Sequence, residues 1–328
     1  MILDIGTFEK TLNTEGVRAI GVDLGGHKVV AGRVEGNVIR ERFEEPTDPS
    51  RQLTPVIAQV ARMARELGAD KDTPVGICIP GGIDAARERS LMVANFEGWN
   101  GLPLRRMFED ELGQCVAIEN DANAYALGEG FAGAAKGMTD YVVLTLGTGI
   151  GGGIVVGGRL LTGAHGIAGE LGHMVLGHDE PCGPGCRGFG HLEAMCGADA
   201  LERKAREMGL PPVLKDLWLM RDPRVTDPRV TDPKVTDPRV VSLWDLALND
   251  IARGIATLVH ILDPQAVIVG GGLRKGAGFM ELLEGRIYRY LGEPFKQTMN
   301  LCSSALDTDA PIFGAAASAL ARWSRSSQ

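Results

Sequence analysis

The chain has 328 residues, long enough for two domains of ordinary size. Hydrophobic residues make up 44% of it and charged residues 23%, the balance of a soluble globular protein rather than a disordered or fibrous one. A formal net charge of −8 argues against a nucleic-acid binder, which needs a basic face, and 45 glycines gathered between apolar runs mark tight turns.

The amino terminus lacks a basic-then-apolar leader, because Asp4, Glu9 and Glu15 interrupt it. With six cysteines and no leader, thiols or a metal site in the cytoplasm are expected in place of a disulfide framework. Residues 18–45 alternate apolar and polar side chains around Gly25-Gly26 and Glu35-Gly36-Asn37, the pattern of three antiparallel strands. Residues 51–68 place Leu53, Val56, Ile57, Val60, Met63, Ala64 and Leu67 on one helical face, closed by Gly68. A short buried strand at 75–79 stops at Pro80-Gly81-Gly82. A helix at 102–112 and a strand at 116–118 follow. The next helix, 121–133, begins at once, so Asn120 and Asp121 fall at a strand-to-helix turn.

Hairpins are expected over 141–162. The uncharged stretch 141–158 has the length of a membrane span, but its seven glycines and its alternation fit a hairpin better. A loop rich in Cys, Gly and His occupies 173–191. Over 222–240 the unit Asp-Pro-Arg-Val-Thr recurs four times, with Lys234 once replacing arginine. Proline at every fifth residue forbids a regular helix there, so the segment reads as a solvated loop. A helix at 242–262, a strand at 266–269 running into Gly270-Gly271-Gly272, and a last helix at 313–324 complete the pattern.

Two glycine-rich turns carry chemistry. Gly21-Val-Asp23-Leu-Gly25-Gly26-His27-Lys28 and Leu144-Thr-Leu-Gly147-Thr148-Gly149-Ile-Gly-Gly-Gly-Ile154 each read as strand, turn and return strand. Glycine lets the backbone turn its N–H groups toward a ligand, so the pair reads as two loops holding the phosphates of one nucleotide. Asp23 suits Mg²⁺ through water, Lys28 suits phosphate, and Thr148 and Gly149 suit hydrogen bonds to phosphate oxygens. The Gly-x-x-x-x-Gly-Lys-Ser/Thr loop is absent, and Gly147-x-Gly149-x-x-Gly152 precedes a strand where the dinucleotide fingerprint needs a helix. In Glu119-Asn-Asp-Ala-Asn123, Asp121 is placed to accept a proton from an attacking alcohol; capping the helix is the equally local alternative. His173, Cys182, Cys186 and His191 are four nitrogen and sulfur ligands within 19 residues, the donor set zinc prefers, with His178 a spare candidate and His27, His165 and His260 apart from it.

Taken in order, these motifs resemble the ROK family of sugar kinases and sugar-responsive repressors. The resemblance runs over about residues 19–320. It is carried also by Pro80-Gly-Gly-Ile-Asp84, Asn95-Phe-Glu-Gly-Trp99-Asn-Gly-Leu-Pro103, Gly169-Glu-Leu-Gly-His173 and Gly190-His-Leu-Glu193. It implies an actin-like, hexokinase-like α/β ATPase fold of two lobes with the active site in the cleft. The small lobe would take 1–120 with about 312–328, and the larger lobe 121–311. It implies ATP-dependent phosphorylation of a hexose at the 6-hydroxyl, with ATP, Mg²⁺ and structural zinc. Asp121 then looks like the general base. Gly82, Asn95, Asn120, Glu170, His173 and Glu193 look like sugar ligands, and Asp23, Gly25, Gly26, Lys28, Thr148 and Gly149 like the phosphate site. Gly271 and Gly272 look like the wall of the base pocket, with Gly314 in the closing helix.

This chain departs from the family at the zinc knuckle, in the first glycine turn and in the Asp-Pro-Arg-Val-Thr repeat, which is an insertion outside the family pattern. His191 replaces the third cysteine of the zinc knuckle, Cys182 must reach in from two residues early, and His27 stands where threonine is common. Glucose is the expected acceptor, with N-acetylmannosamine, N-acetylglucosamine and fructose as alternatives. A repressor would need a DNA-binding domain ahead of Asp23, where 22 residues lie, and a dead sensor would lose Asp121 or the phosphate loops, all present. The expected partners are a hexose and ATP, with no nucleic acid or membrane, in a homodimer or homotetramer.

Overall fold

A computed structural model describes residues 18–93, 95–177, 179–182, 188–221 and 237–326. Cys186, His178 and most of the proline repeat, 222–236, lie outside the described residues.

Strands β1 (Arg18–Leu24), β2 (Lys28–Glu35) and β3 (Val38–Pro46) pair antiparallel, as their alternation predicts. Helix α1 (Leu53–Glu66) precedes β4 (Val75–Ile79), which joins β1 in parallel. The hairpin of β5 (Gly81–Ile83) and β6 (Ser90–Val93), unforeseen in the sequence, leads to α2 (Leu104–Leu112). Strand β7 (Val116–Asn120) pairs in parallel with β4 and runs directly into α3 (Asp121–Ala132). The first sheet has the order β3-β2-β1-β4-β7.

A second sheet is built from β8 (Tyr141–Leu146), β9 (Ile150–Val156), β10 (Arg159–Leu160), β11 (Ala266–Gly270) and β12 (Leu301–Ser303), in the order β10-β9-β8-β11-β12. Between β10 and β11 lie α4 (Leu192–Cys196), α5 (Ala198–Glu207), α6 (Leu214–Arg221) and α7 (Pro238–Leu262). Helices α8 (Phe279–Tyr290) and α9 (Phe295–Thr298) come before β12, and α10 (Ala310–Ser326) after it. Helix α7 starts four residues earlier than the expected 242: the last repeat unit supplies its cap. The Asp237 side chain accepts from Arg239 N–H, and Pro238 sits in the first turn, where its missing N–H costs nothing. Among the described residues no helix is long and apolar enough to cross a membrane.

By compactness the chain divides into two units. One takes the residues up to Val143, Gly153–Gly169 and those from Ser304 on; the other takes Leu144–Gly152 and Glu170–Ser303. Helix α3 packs on α10, and both fall in the first unit.

The two faces of the first sheet explain this unit. Ile20, Val22 and Leu24 of β1 and Val75, Ile77 and Ile79 of β4 share a core with Val56, Val60 and Met63 of α1 and with Phe108 of α2. Each such fully buried side chain contributes about 1.5–3 kcal/mol. The alternate residues turn to α10, and there the chain uses glycine. A β-carbon at Gly21 would run into Ile312 O, at Gly76 into Ala315 O, at Gly128 into Ala310 O, and at Gly314 into Ala124 O. At these four glycines the backbone of α10 thus lies directly against the sheet and α3. Glu129, fully buried on α3, anchors the approach to α10 by accepting from Ser304 Oγ, Ala305 N–H and Leu306 N–H.

Candidate active site

In the first unit, Asp23 is the penultimate residue of β1, on the face that carries Gly21. Its neighbour in register on β4 is Cys78, whose buried thiol donates to Asp23 Oδ1 at 3.4 Å. Burial raises the Asp23 carboxyl above its ordinary value, against the Cys78 hydrogen bond and the charges of Lys28 and Arg42. Burial also pushes the Cys78 thiol well up, helped by the carboxylates of Asp23 and Asp121, so it remains a donor.

The turn after β1 is closed by Gly25 N–H to Lys28 O at 2.9 Å, and Thr47 steadies it through its Oγ1 on Gly25 O at 2.6 Å. Lys28 is exposed, with Nζ 3.0 Å from Glu44 Oε1, and Lys28 and Arg42 together hold the Glu44 carboxyl low. Gly26 packs against Asn95, which adopts a left-handed φ of 67°. Gly81, at φ 111°, lies so close to Met92 O that no β-carbon fits, and a β-carbon at Gly82 would meet Ile167 Cγ2 at 3.1 Å.

The turn from β7 into α3 settles how its residues divide the work. Asn120 is the N-cap: its Oδ1 accepts from Asn123 N–H at 2.9 Å. Its Nδ2 donates to Gly81 O and to Asp121 Oδ1, both at 3.0 Å. Asp121 Oδ1 also accepts from Ala122 N–H at 2.8 Å. Asp121 is therefore held by the cap and does not make it.

In the second unit, Gly147 N–H closes the hairpin tip on Gly149 O at 3.0 Å. The carbonyls of Gly147 and Thr148 receive Ala198 N–H and Asp199 N–H, seating the tip on the first turn of α5. Glu193, in the first turn of α4, accepts Ile150 N–H on Oε2 at 2.7 Å, and a β-carbon at Gly149 would strike that carboxylate. Gly271, at φ 83°, approaches Leu146 O too closely for a side chain, whereas Gly272 has open space around it.

Glu170 still opens to solvent on one side, yet loss of water raises its carboxyl; His173 opposes the rise and Glu193 adds to it. His173 and His191 bring their Nδ1 atoms within 2.9 Å, with ring planes at 83°. Among the described residues no group of three or more His, Cys, Asp or Glu side chains converges as a metal set, and Cys186 is not one of those residues. The converging imidazole nitrogens fit half of a zinc donor set, and Cys182, partly exposed, supplies a thiol nearby in sequence.

Within the first unit the structure gathers Asn120, Asp121 and Gly81 in one network and sets Gly26 on Asn95. Within the second it joins Glu193 to the hairpin tip and His173 to His191. Sequence reasoning missed Thr47, Cys78 and the buried pair Arg87–Glu119, with Arg87 Nε 2.8 Å from Glu119 Oε2. Only Glu119 had a signal, its place beside Asn120.

The model of the ROK family matches residues 19–322. A glucokinase of Thermotoga maritima is 36% identical over 309 residues, covering 92% of this chain and 96% of that protein. Among solved structures, a ROK hexokinase from Thermus thermophilus is 33% identical with a TM-score of 0.78, covering 94% of this chain and all of that one. A ROK glucokinase from Streptomyces griseus, in complex with glucose and AMPPNP, is 29% identical with a TM-score of 0.75, covering 93% and 99%.

Proposed function

We propose, from the premise that the chain belongs to the ROK family and is a sugar kinase of the actin-like, hexokinase-like fold, that it transfers the γ-phosphate of ATP to the 6-hydroxyl of glucose. One observation carries the assignment of the base. Asp121 stands at the first residue of α3 with Oδ1 fixed by Asn120 Nδ2 and Ala122 N–H, while Asn120 does the capping. A carboxylate oriented in this way accepts the hydroxyl proton as the bond to phosphorus forms. The glucokinase names of similar proteins support glucose.

The roles of the other residues follow from their chemistry. Asn120, Glu170, His173 and Glu193, with Gly82 and Asn95, take the sugar hydroxyls. Gly25, Gly26, Thr148 and Gly149 offer backbone and hydroxyl donors to phosphate. Lys28 reaches phosphate by leaving its exposed pair with Glu44, which solvent screens and which holds only weakly. Asp23 would hold Mg²⁺, which when bound to ATP neutralises charge on the transferring group. Gly272, with open space around it, suits the base-pocket wall. Zinc would be held by His173, His191, Cys182 and Cys186. Bound there it would fix the orientation of the His173 ring, which would leave the second ring nitrogen free for a sugar hydroxyl.

The deciding experiment offers ATP and Mg²⁺ with glucose, N-acetylmannosamine, N-acetylglucosamine, fructose and allose. Glucose is expected to give the highest kcat/KM. A different best acceptor overturns the glucose assignment, and turnover of none overturns the proposed reaction.

A further inference from the structure

We propose that Arg87 is a positioning residue for phosphoryl transfer: through Glu119 it fixes the turn that carries Asp121, and through Gly166 it ties the 163–168 loop to that turn. The inference rests on the reading of Asp121 as proton acceptor.

Arg87 is 2% exposed and Glu119 1%. The Arg87 Nε donates to Glu119 Oε2 at 2.8 Å, and Nη1 reaches Ile83 O at 3.4 Å, Asp84 O at 3.2 Å and Gly166 O at 3.3 Å. The other oxygen of Glu119 accepts Asn120 N–H at 2.9 Å and Asn123 Nδ2 at 3.1 Å. Asn120 then passes the constraint to Asp121 Oδ1 at 3.0 Å. A continuous hydrogen-bonded path therefore runs from the guanidinium to the carboxylate through two residues.

Two features separate this arginine from one that only fills space. Its backbone is left-handed, φ 57°, a conformation that a non-glycine residue keeps when its surroundings over-determine it. Its Nη2 is buried with no acceptor among the described residues, so the ion pair is not arranged for greatest stability. A buried pair of this kind is often replaceable by apolar side chains without loss of stability. The planar fork supplies geometry: it holds the end of β5, the 166 loop and the end of β7 at once, which the point charge of a lysine does not.

The test uses Arg87→Met, Arg87→Lys and Glu119→Gln in the full chain, with the best hexose, ATP and Mg²⁺. A displacement of about 1 Å at a reacting group costs about a hundredfold, so kcat is expected to fall about 10- to 100-fold in Arg87→Met. Arg87→Lys and Glu119→Gln are expected to fall less. The KM for hexose is expected to move less than about fivefold. A folded variant at position 87 with kcat within about twofold of the parent overturns the proposal. So does a loss that merely tracks the folded fraction. Should Arg87→Met not fold, Arg87→Lys decides on the same criterion. Amide exchange at Asn120 and Asn123 reads the link without turnover: faster exchange in Arg87→Lys supports it, unchanged exchange overturns it. That readout stands even if the parent phosphorylates no hexose, a result that would fail the kinase reaction alone.

Discussion

Gly26 and Asn95 are in contact: a β-carbon on Gly26 would lie 2.8 Å from Asn95 Cβ and 3.1 Å from its Nδ2. The turn after β1 and the loop after β6 are thus packed together where each carries a candidate ligand. Asn95, already left-handed, has little freedom to retreat. Gly26→Ala is expected to lower kcat/KM about 10- to 100-fold through displacement of both loops, with a melting temperature close to the parent's. Steady-state kinetics and a thermal melt check this; parental kinetics would show that the contact has no functional weight.

Asp121→Asn keeps an oxygen for the Asn120 and Ala122 donors but removes the proposed proton acceptor. Turnover is expected to fall about 10²- to 10⁴-fold, with hexose affinity by calorimetry changed only a few-fold. Retention of more than about a tenth of kcat would make Asp121 a structural residue.

Gly314→Ala and Gly272→Ala form a matched pair. At Gly314 the new methyl is driven into Ala124 O, whereas at Gly272 it meets nothing within 4 Å. Gly314→Ala is expected to cost about 1–3 kcal/mol of stability by overpacking. Gly272→Ala is expected to leave the melt unchanged and raise the KM for ATP, as a base-pocket wall requires. Denaturant melts and ATP titrations separate the two.

Asp23 gives a pH prediction. Its folded-state carboxyl is raised by burial, so the folded chain binds the proton more tightly than the unfolded chain does. Stability from this group is present below the unfolded value of 3.8 and is lost as pH rises through the higher folded value. Asp23→Asn is therefore expected to melt roughly a few degrees higher than the parent at pH 7, the gap closing as the pH falls toward the unfolded value, while turnover drops sharply. A lower melting temperature at pH 7 would contradict the sign.

Metal analysis of the purified protein is expected to find about one zinc per chain. His191→Ala is expected to lose the metal and to weaken hexose binding through a freed His173 ring. A metal-free, fully active preparation would remove zinc from the site.

Much of the fold was legible because its signals are local. The alternation in β1 to β3, the unbroken apolar run of β4 and the place of Asp121 at a strand-to-helix turn need only the periodicity of neighbouring residues. The start of α7 escapes the rule that proline breaks a helix, because Pro238 occupies the one helical turn that tolerates it. Arg87 was invisible for the opposite reason: its partners, Glu119 and Gly166, are 32 and 79 residues away, and no spacing rule reaches that far.

The sequence alone is enough for the family, the reaction class and the two glycine turns, including the first, whose single irregularity is His27. It named Asn120 and Asp121 without saying which caps the helix. Tertiary structure decided that, since the cap depends on where Gly81 O and Glu119 stand relative to the turn. It also decided why Gly21, Gly76, Gly128 and Gly314 are glycines: they meet the backbone of a helix from the far end of the chain, or meet α3 from it. Local periodicity records which face of an element is apolar; what that face meets is fixed only when distant segments pack.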